Sequence, residues 1–155
     1  MRCEIVATDV SAPALATAAK VGDCTINVAE CPNGLAPYAH EKGYFDMSFE
    51  CSGNSRVLVG ALEITRPLGA IILVGLGGEA TLPMNSVVTK EIKLCGAFCT
   101  GVEFGWSVEL ISNRRVDMRP LLTATYPVEQ AVEAFRFAGD KSRAMKVQLS
   151  FASAQ

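Results

Sequence analysis

The chain has 155 residues, of which half are hydrophobic and 19% are charged, and its formal net charge is −2. This composition is typical of a globular protein and excludes an intrinsically disordered one. Its lysines and arginines form no run that would mark a nucleic-acid site or a site for an acidic membrane surface, so we expect neither partner. A mean hydropathy of +0.27 is high for a soluble monomer and favours some apolar surface meant for another domain or subunit.

The six cysteines form no CxxC pair. Glu4 and Asp9 interrupt the apolar core that a signal peptide needs. We therefore expect free thiols and a cytoplasmic protein. The longest apolar stretch, 70–74, is too short to cross a bilayer, and the single histidine and the cysteine spacing predict neither a Ser-His-Asp set nor a metal site.

The first segment of the chain reads as a β-α-β unit. An apolar strand at 4–8 ends at Asp9, a helix near 11–20 is capped by Ser11, and a short strand follows at 24–28. A carboxylate after the second strand of a dinucleotide-binding unit accepts the hydroxyls of an adenosine ribose and repels a 2′-phosphate. Asp9 therefore predicts NAD rather than NADP, with a local turn or capping role as the alternative. The first strand and glycine-rich loop of such a unit are expected upstream of Met1.

The middle of the chain alternates between predicted strands and helices. The strands lie at 46–51, 70–74 and 92–98, and the helices near 38–42, 55–65 and 85–90. Helix-sized connections imply parallel pairing, so we predict an α/β fold with a Rossmann-like parallel sheet and helices on both faces, lacking the first strand and the glycine-rich loop. Without that first strand, we expect strand 4–8 to pair directly with strand 46–51, which gives the order 2-1-3-4-5.

The last third of the chain has a different pattern. A helix near 104–112 is followed by an extended segment at 121–126, a helix at 128–138 and a final strand from Met145 to Phe151, one face of which is apolar. That face needs a partner or stays exposed. We predict a dinucleotide-binding domain at 1–112 and a C-terminal tail at 113–155.

The carboxyl ends of the predicted strands mark the candidate ligand site, because ligands of an open parallel sheet bind there. These ends carry Asp9, 51–53 and 75–77. A glycine such as Gly75 lets the backbone approach a flat ring closely, although the turn alone could require it. Cys51 is predicted to be a buried small hydrophobic residue rather than a nucleophile, since nothing near it in sequence lowers its pKa.

Seven short segments, taken in chain order, carry a family resemblance. They are 7–11 (ATDVS), 45–53 (FDMSFECSG), 73–78 (LVGLGG), 82–84 (LPM), 91–98 (EIKLCGAF), 120–124 (PLLTA) and 145–151 (MKVQLSF). Together they resemble the zinc-dependent medium-chain dehydrogenases, and the sorbitol and L-idonate 5-dehydrogenase branch is the nearest match. The resemblance covers essentially the whole chain, which corresponds to the C-terminal half of a family member.

The resemblance implies a function and a set of contact residues. The reaction is the oxidation of a secondary alcohol of a polyol or sugar acid by NAD, with a catalytic zinc whose ligands would lie upstream of Met1. Asp9 would bind the adenosine ribose, and Lys146, whose alternative place is the solvent face of a strand, would lie near the pyrophosphate. Val74, Gly75 and Leu76 would line the nicotinamide with backbone groups, and Phe98, Cys99 and Thr100 would close over its ring. Cys51, Ser52 and Gly53, at the end of strand 46–51, are further candidate cofactor contacts. No catalytic or metal-binding residue is implied here, so we expect the chain to be inactive alone.

Two positions depart from the family pattern. Ala14 stands where sorbitol dehydrogenases often have an arginine near the adenosine ribose, and Cys99 stands where a substrate-side arginine is common in this branch. Both losses weaken the expected binding. The resemblance also implies a homodimer through strand 92–98 and a tail, 113–155, that packs back on a catalytic domain.

Two other functions remain open from the sequence. One is a noncatalytic remnant or interaction module that keeps the sheet and uses its exposed strand to bind a partner chain; NAD affinity distinguishes it from a dehydrogenase domain. The other is an S-adenosylmethionine-dependent methyltransferase, in which an acidic residue after a strand also holds a ribose. The missing glycine-rich loop counts against the methyltransferase hypothesis.

Overall fold

The computed structural model describes residues 3–98 and 101–151. By their contacts these residues form two compact units, a first unit within 1–32 and 102–155 and a second unit within 33–101. The predicted division after residue 112 concerns the domains of a longer protein and stays a prediction. None of the helices in the described ranges is long and apolar enough to cross a membrane.

The N-terminal part of the first unit is the predicted β-α-β unit. It consists of β1 (Val6–Asp9), α1 (Ala12–Ala18) and β2 (Cys24–Asn27). The two strands pair in parallel from Val6 with Cys24 to Asp9 with Asn27. Ser11 caps α1 as predicted, because its side chain accepts a hydrogen bond from the Ala14 amide, and Leu15 is buried.

The C-terminal part of the first unit is a second β-α-β unit. It follows the exposed helix α4 (Glu103–Ser112) and consists of β6 (Leu122–Pro127), α5 (Ala131–Gly139) and β7 (Lys146–Ser150), with short 3-10 helices at Arg119–Leu121 and Val128–Gln130. Strand β7 pairs in parallel with β6. The predicted final strand therefore has a partner in this chain, and Val147 and Leu149 are half-buried, whereas Met145 and Phe151 stay exposed.

The second unit is a three-stranded parallel sheet in the order β3-β4-β5. Its elements are β3 (Phe45–Glu50), α2 (Ser55–Ile64), β4 (Thr65–Leu73), α3 (Met84–Thr89) and β5 (Lys93–Gly96). Helix α2 buries Leu58, Ala61 and Leu62 at helical spacing against Ile71 and Ile92. Ile71, in the middle of the apolar run 70–74, is 0% exposed, so this run is the central strand that the sequence predicts.

Two element boundaries differ from the prediction. The segment Ala36–Lys42, where a weak helix was predicted, is a broken 3-10 helix, because His40 and Glu41 leave the helical region of backbone angles. Strand β4 begins at Thr65 and runs through Pro67, which was expected only to stop the preceding helix. The Thr65 hydroxyl, at the point where α2 ends and β4 begins, is fully buried and donates to the Ala61 carbonyl at 2.7 Å. This bond satisfies the hydrogen-bonding need of the hydroxyl.

The expected direct pairing of strand 4–8 with strand 46–51 is wrong. The described strands form three separate sheets, in which β1 pairs with β2, β3 with β4, and β6 with β7. The prediction assumed that two open strand edges must satisfy each other. Their backbone groups instead stay unpaired with one another, and such edges favour the addition of a further strand.

Candidate functional site

Asp9 is the last residue of β1 and is exposed. Its Oδ1 atom accepts hydrogen bonds from the Val10 amide at 2.7 Å and the Ser11 amide at 2.8 Å. No hydrogen bond to Oδ2 occurs within residues 3–98 and 101–151. One carboxylate oxygen therefore fixes the local turn into α1, which is the alternative role noted above, while the other is available to a ligand.

Glu50 ends β3 and connects the two loops that follow β3 and β4, which we call the β3 loop (51–54) and the β4 loop (74–78). Its carboxylate accepts from the Ser52 amide at 2.8 Å, from the Ser52 hydroxyl, and from the Gly53 amide at 3.0 Å. Its main-chain carbonyl accepts from the Val74 amide at 2.8 Å and the Gly75 amide at 2.9 Å. The side chain thus holds one loop and the backbone holds the other.

The Glu50 carboxylate is buried but charged. The residue is only 4% exposed. Burial raises the pKa of the carboxyl, but hydrogen bonds from Ser52 and Gly53 are chief among those that lower it by more, so this pKa lies below its ordinary value. The sequence interpretation missed this residue; the available signal was a carboxylate at the end of a predicted buried strand and directly before Cys-Ser-Gly.

Three glycines bring the backbones of the β3 and β4 loops into direct contact. A Cβ atom at Gly75 would lie 2.1 Å from the Gly53 nitrogen, and one at Gly77 would lie 1.9 Å from the Gly53 oxygen. Gly53 itself has φ +70°, and a Cβ there would lie 2.5 Å from the Leu76 oxygen. The space beside Gly75 is therefore filled by the neighbouring loop, which is a structural reason for the glycine in addition to any ligand role.

The start of α2 is satisfied by the chain itself. The Ser52 hydroxyl accepts from the Asn54 amide at 3.1 Å, and Asn54 caps α2 by accepting from the Arg56 amide at 2.9 Å. With the Glu50 carboxylate close by, this helix end is already supplied with acceptors. The residues at this end do not fit a phosphate group.

Cys51 lies in the β3 loop directly after Glu50. Burial and, next, the negative charge of Glu50 raise the pKa of the Cys51 thiol. A raised thiol pKa lowers the thiolate fraction at neutral pH, and the thiolate is the nucleophile. The raised pKa argues against a nucleophile, but the residue is exposed, so the prediction of a buried small hydrophobe is wrong.

The remaining candidate residues lie in both units. Val74, Leu76 and Phe98 expose apolar side chains, with 45%, 81% and 78% of their surface accessible. The Ala97 amide donates to the Leu73 carbonyl at 2.9 Å, which places the chain leading to Phe98 beside the end of β4. Lys146 is exposed on β7 in the first unit, and Cys99 and Thr100 lie outside the described residues.

The second unit therefore brings together most of the predicted nicotinamide contacts at the carboxyl ends of its strands. The exposed apolar side chains of Val74, Leu76 and Phe98 fit a flat heteroaromatic ring. In the first unit, taken by itself, the unbonded oxygen of Asp9 fits a sugar hydroxyl. No group of three or more His, Cys, Asp or Glu side chains in the described ranges could hold a metal ion.

Comparisons with known proteins place the chain among dehydrogenases. A family model described as zinc-binding dehydrogenase matches residues 1–113. The L-idonate 5-dehydrogenase (NAD(P)(+)) of Escherichia coli K12 is 42% identical over 96% of this chain and 43% of its own length. The sorbitol dehydrogenase of Macaca fascicularis is 30% identical over 85% of this chain and 38% of its own length.

The fold is matched as well. The crystal structure of L-idonate 5-dehydrogenase from Escherichia coli matches 96% of this chain and 43% of that chain, with a TM-score of 0.88 and 42% identity. The predicted α/β class with a Rossmann-like fold and the family resemblance are confirmed. The chain spans about two fifths of the length of the relatives it matches.

Proposed function

Because the chain belongs to the zinc-binding dehydrogenase family, we propose that it is the cofactor-binding part of an NAD-dependent dehydrogenase that oxidises a secondary alcohol of a polyol or sugar acid. The observation that carries the proposal is the joined pair of β3 and β4 loops, whose exposed residues fit a flat ring at the carboxyl edge of a parallel sheet. The names of the relatives, L-idonate and sorbitol dehydrogenases, support the substrate class. Membership of a dehydrogenase family also excludes the methyltransferase hypothesis.

Two groups of residues serve the cofactor in this proposal. The free Oδ2 atom of Asp9 accepts a hydroxyl of the adenosine ribose, and its negative charge disfavours a 2′-phosphate, so NAD is preferred to NADP. Lys146 supports the pyrophosphate. The nicotinamide contacts are Val74, Gly75, Leu76, Phe98, Cys99 and Thr100, and Cys51, Ser52 and Gly53 are further cofactor contacts. Bound NAD supplies the hydride acceptor, and the residues of this chain hold and orient it.

The rest of the enzyme is also part of the proposal. A catalytic zinc would act as a Lewis acid on the alcohol, and its ligands would come from sequence that is not in this chain. We accordingly propose that the chain is inactive alone, that the protein is cytoplasmic, that it pairs through the strand at 92–98, and that 113–155 packs on a catalytic domain.

The test is calorimetric titration of the chain with NAD and NADP, using wild type, Asp9→Asn and Asp9→Ala. The asparagine variant keeps an Oδ1 acceptor for the Val10 and Ser11 amides, removes the charge and replaces the free Oδ2 acceptor by an NH₂ donor. We expect wild type to prefer NAD, the asparagine variant to lose that preference while keeping its thermal stability, and the alanine variant to lose both. Equal NAD affinity in wild type and both variants would exclude the assigned role of Asp9, and no binding by a folded wild type would exclude the proposed function.

A second function, a noncatalytic module that binds a partner chain, is supported by one feature of the first unit. Every residue of α4 is exposed, including Phe104, Trp106 and Ile111, whose accessible fractions are 60%, 63% and 47%. Exposed apolar clusters of this kind are typical of interaction surfaces. A folded chain without NAD affinity that nonetheless sediments as a complex would favour this function.

A further inference from the structure

We propose that Glu50 is a positioning residue of the nicotinamide side of the site, holding the β3 loop and the β4 loop in one fixed arrangement. The proposal deepens the proposed function and rests on it. Glu50 is 4% exposed and its carboxylate oxygens are engaged by Ser52 and Gly53, so it acts on the cofactor through other residues. Six of the proposed contact residues lie in the two loops that it joins, namely Cys51, Ser52, Gly53, Val74, Gly75 and Leu76.

The hydrogen bonds give Glu50 control of both loops. Ser52 and Gly53, in the β3 loop, donate to the carboxylate, with amide distances of 2.8 and 3.0 Å. Val74 and Gly75, in the β4 loop, donate to the main-chain carbonyl of the same residue at 2.8 and 2.9 Å. One residue at the end of β3 therefore sets the positions of two loops that are separated in sequence by residues 55–73.

Direct backbone contact couples the loops further. Gly75 and Gly77 approach Gly53 so closely that a Cβ atom at either position would overlap its backbone, at 2.1 and 1.9 Å. A displacement of Gly53 therefore displaces the β4 loop as well, because no flexible side chain lies between them to absorb it. The loops behave as one body as long as the carboxylate holds the first of them.

A carboxylate is the group that suits this position. The partners of the side chain are two backbone N–H groups and one hydroxyl, all of which donate. An ionised carboxylate accepts at both oxygens, whereas a glutamine would turn its own NH₂ group toward a donor. Glu50→Gln is therefore a nearly isosteric change that removes the charge. It also turns the glutamine NH₂ group toward the Gly53 N–H group, so that two buried donors face each other.

The first measurement follows backbone amide exchange by NMR in the 155-residue chain, without cofactor. The variant is Glu50→Gln, and the matched control is Glu129→Gln, because Glu129 is exposed in the first unit. We expect exchange of the Ser52 and Gly53 amides to accelerate about tenfold or more in the variant, with a smaller increase at Gly77 and no change in the control. Unchanged exchange at Gly53 would overturn the proposal whether or not the chain binds NAD.

The second measurement separates positioning from simple loss of stability. Wild type and variants are titrated with NADH and with ADP-ribose, which has the adenosine and pyrophosphate but lacks the nicotinamide. We expect Glu50→Gln to weaken NADH binding about tenfold and to leave ADP-ribose binding within about twofold, because only the nicotinamide side is displaced. An equal loss for both ligands would mean that Glu50 acts only on stability, and it would overturn the positioning role.

A milder variant covers the case in which Glu50→Gln does not fold. Ser52→Ala removes the hydroxyl that donates to Glu50 and accepts from the Asn54 amide, but it keeps the two amide bonds to the carboxylate, so we expect the same pattern with a smaller NADH effect of about threefold. The same titrations distinguish failure of the proposed function from failure of the role of Glu50. A wild-type chain that binds neither NADH nor ADP-ribose would overturn the proposed function, and with it the cofactor role of Glu50, whereas NADH binding that neither variant weakens would overturn the role of Glu50 alone.

Discussion

Gly75 packs directly on Gly53, with the site of a Cβ atom at Gly75 only 2.1 Å from the Gly53 nitrogen. The contact joins backbone to backbone, so a larger residue cannot be accommodated by a change of side-chain rotamer. It also lies at the carboxyl edge of the sheet, where the proposed cofactor contacts are. Stability and the shape of the site therefore depend on the same pair of glycines.

Gly75→Ala is expected to destabilise the second unit by about 1–3 kcal/mol, because the β3 loop must move to admit the methyl group. Gly78→Ala is the matched control, since a Cβ atom at Gly78 meets nothing within 4 Å. Urea unfolding followed by circular dichroism measures both. If the two variants unfold at the same urea concentration as wild type, the close contact of the loops is wrong.

Lys90 closes the C-terminal end of α2. Its Nζ atom donates to the Leu62 carbonyl and, at 3.2 Å, to the Glu63 carbonyl, and burial lowers its pKa while Glu63 opposes that shift. We expect Lys90→Met to lower the free energy of unfolding by about 1–2 kcal/mol, because it keeps the apolar stem but leaves the last carbonyls of the helix without this donor. Lys141→Met, at an exposed turn position, is the control and should change little. Equal losses in the two variants would contradict the capping role.

The charge of Glu50 predicts a pH dependence of stability. Its pKa is lower in the folded chain than the ordinary value, so its contribution is fully present above that value, about 4.3, and is lost as the pH falls through the lower folded pKa. The difference in free energy of unfolding between wild type and Glu50→Gln should therefore be constant near neutral pH and shrink below about pH 4. Asp117, whose pKa is lowered to about 2, titrates alike in both proteins and cancels. A difference that grows toward low pH would have the wrong sign for this assignment.

Cys51 should react slowly with iodoacetamide at neutral pH. Although the residue is exposed, partial burial of its sulfur and the Glu50 charge raise the pKa of the thiol, which reduces the reactive thiolate. In Glu50→Gln the pH at which the Cys51 rate reaches half its maximum should move downward, because the opposing charge is gone. Peptide mass spectrometry gives the rate at each cysteine separately, with the exposed Cys31 as internal reference. An unchanged pH profile at Cys51 would show that Glu50 does not control this thiol.

The sequence predicts the positions of the helices and strands better than it predicts which strands pair with each other. The uninterrupted apolar run around Ile71 and the helical spacing of Leu58 and Leu62 are local patterns, and both identify the core correctly. Strand pairing depends on backbone groups far apart in sequence, so the expected partner of strand 4–8 was wrong even though the strand itself is present.

The positions of the candidate residues at strand ends were predictable, but the hydrogen bonds that support them were not. Strand ends can be read from the sequence, and they place Asp9, Cys51 and Gly75 where a parallel sheet binds ligands. The function of Glu50 depends on its burial and on the amides that it faces, neither of which a single sequence contains. Likewise, a glycine next to a strand does not reveal whether a ligand or another loop occupies the space beside it.

The exposure of α4 means that the intrinsic tryptophan fluorescence of the chain can report on contacts made by this helix. Trp106 is the only tryptophan in the sequence, and 63% of its surface is accessible on that helix. Its emission wavelength follows the polarity around a single indole, so a blue shift on mixing would register the covering of α4 by any other polypeptide. Assembly could thus be followed in real time without a label.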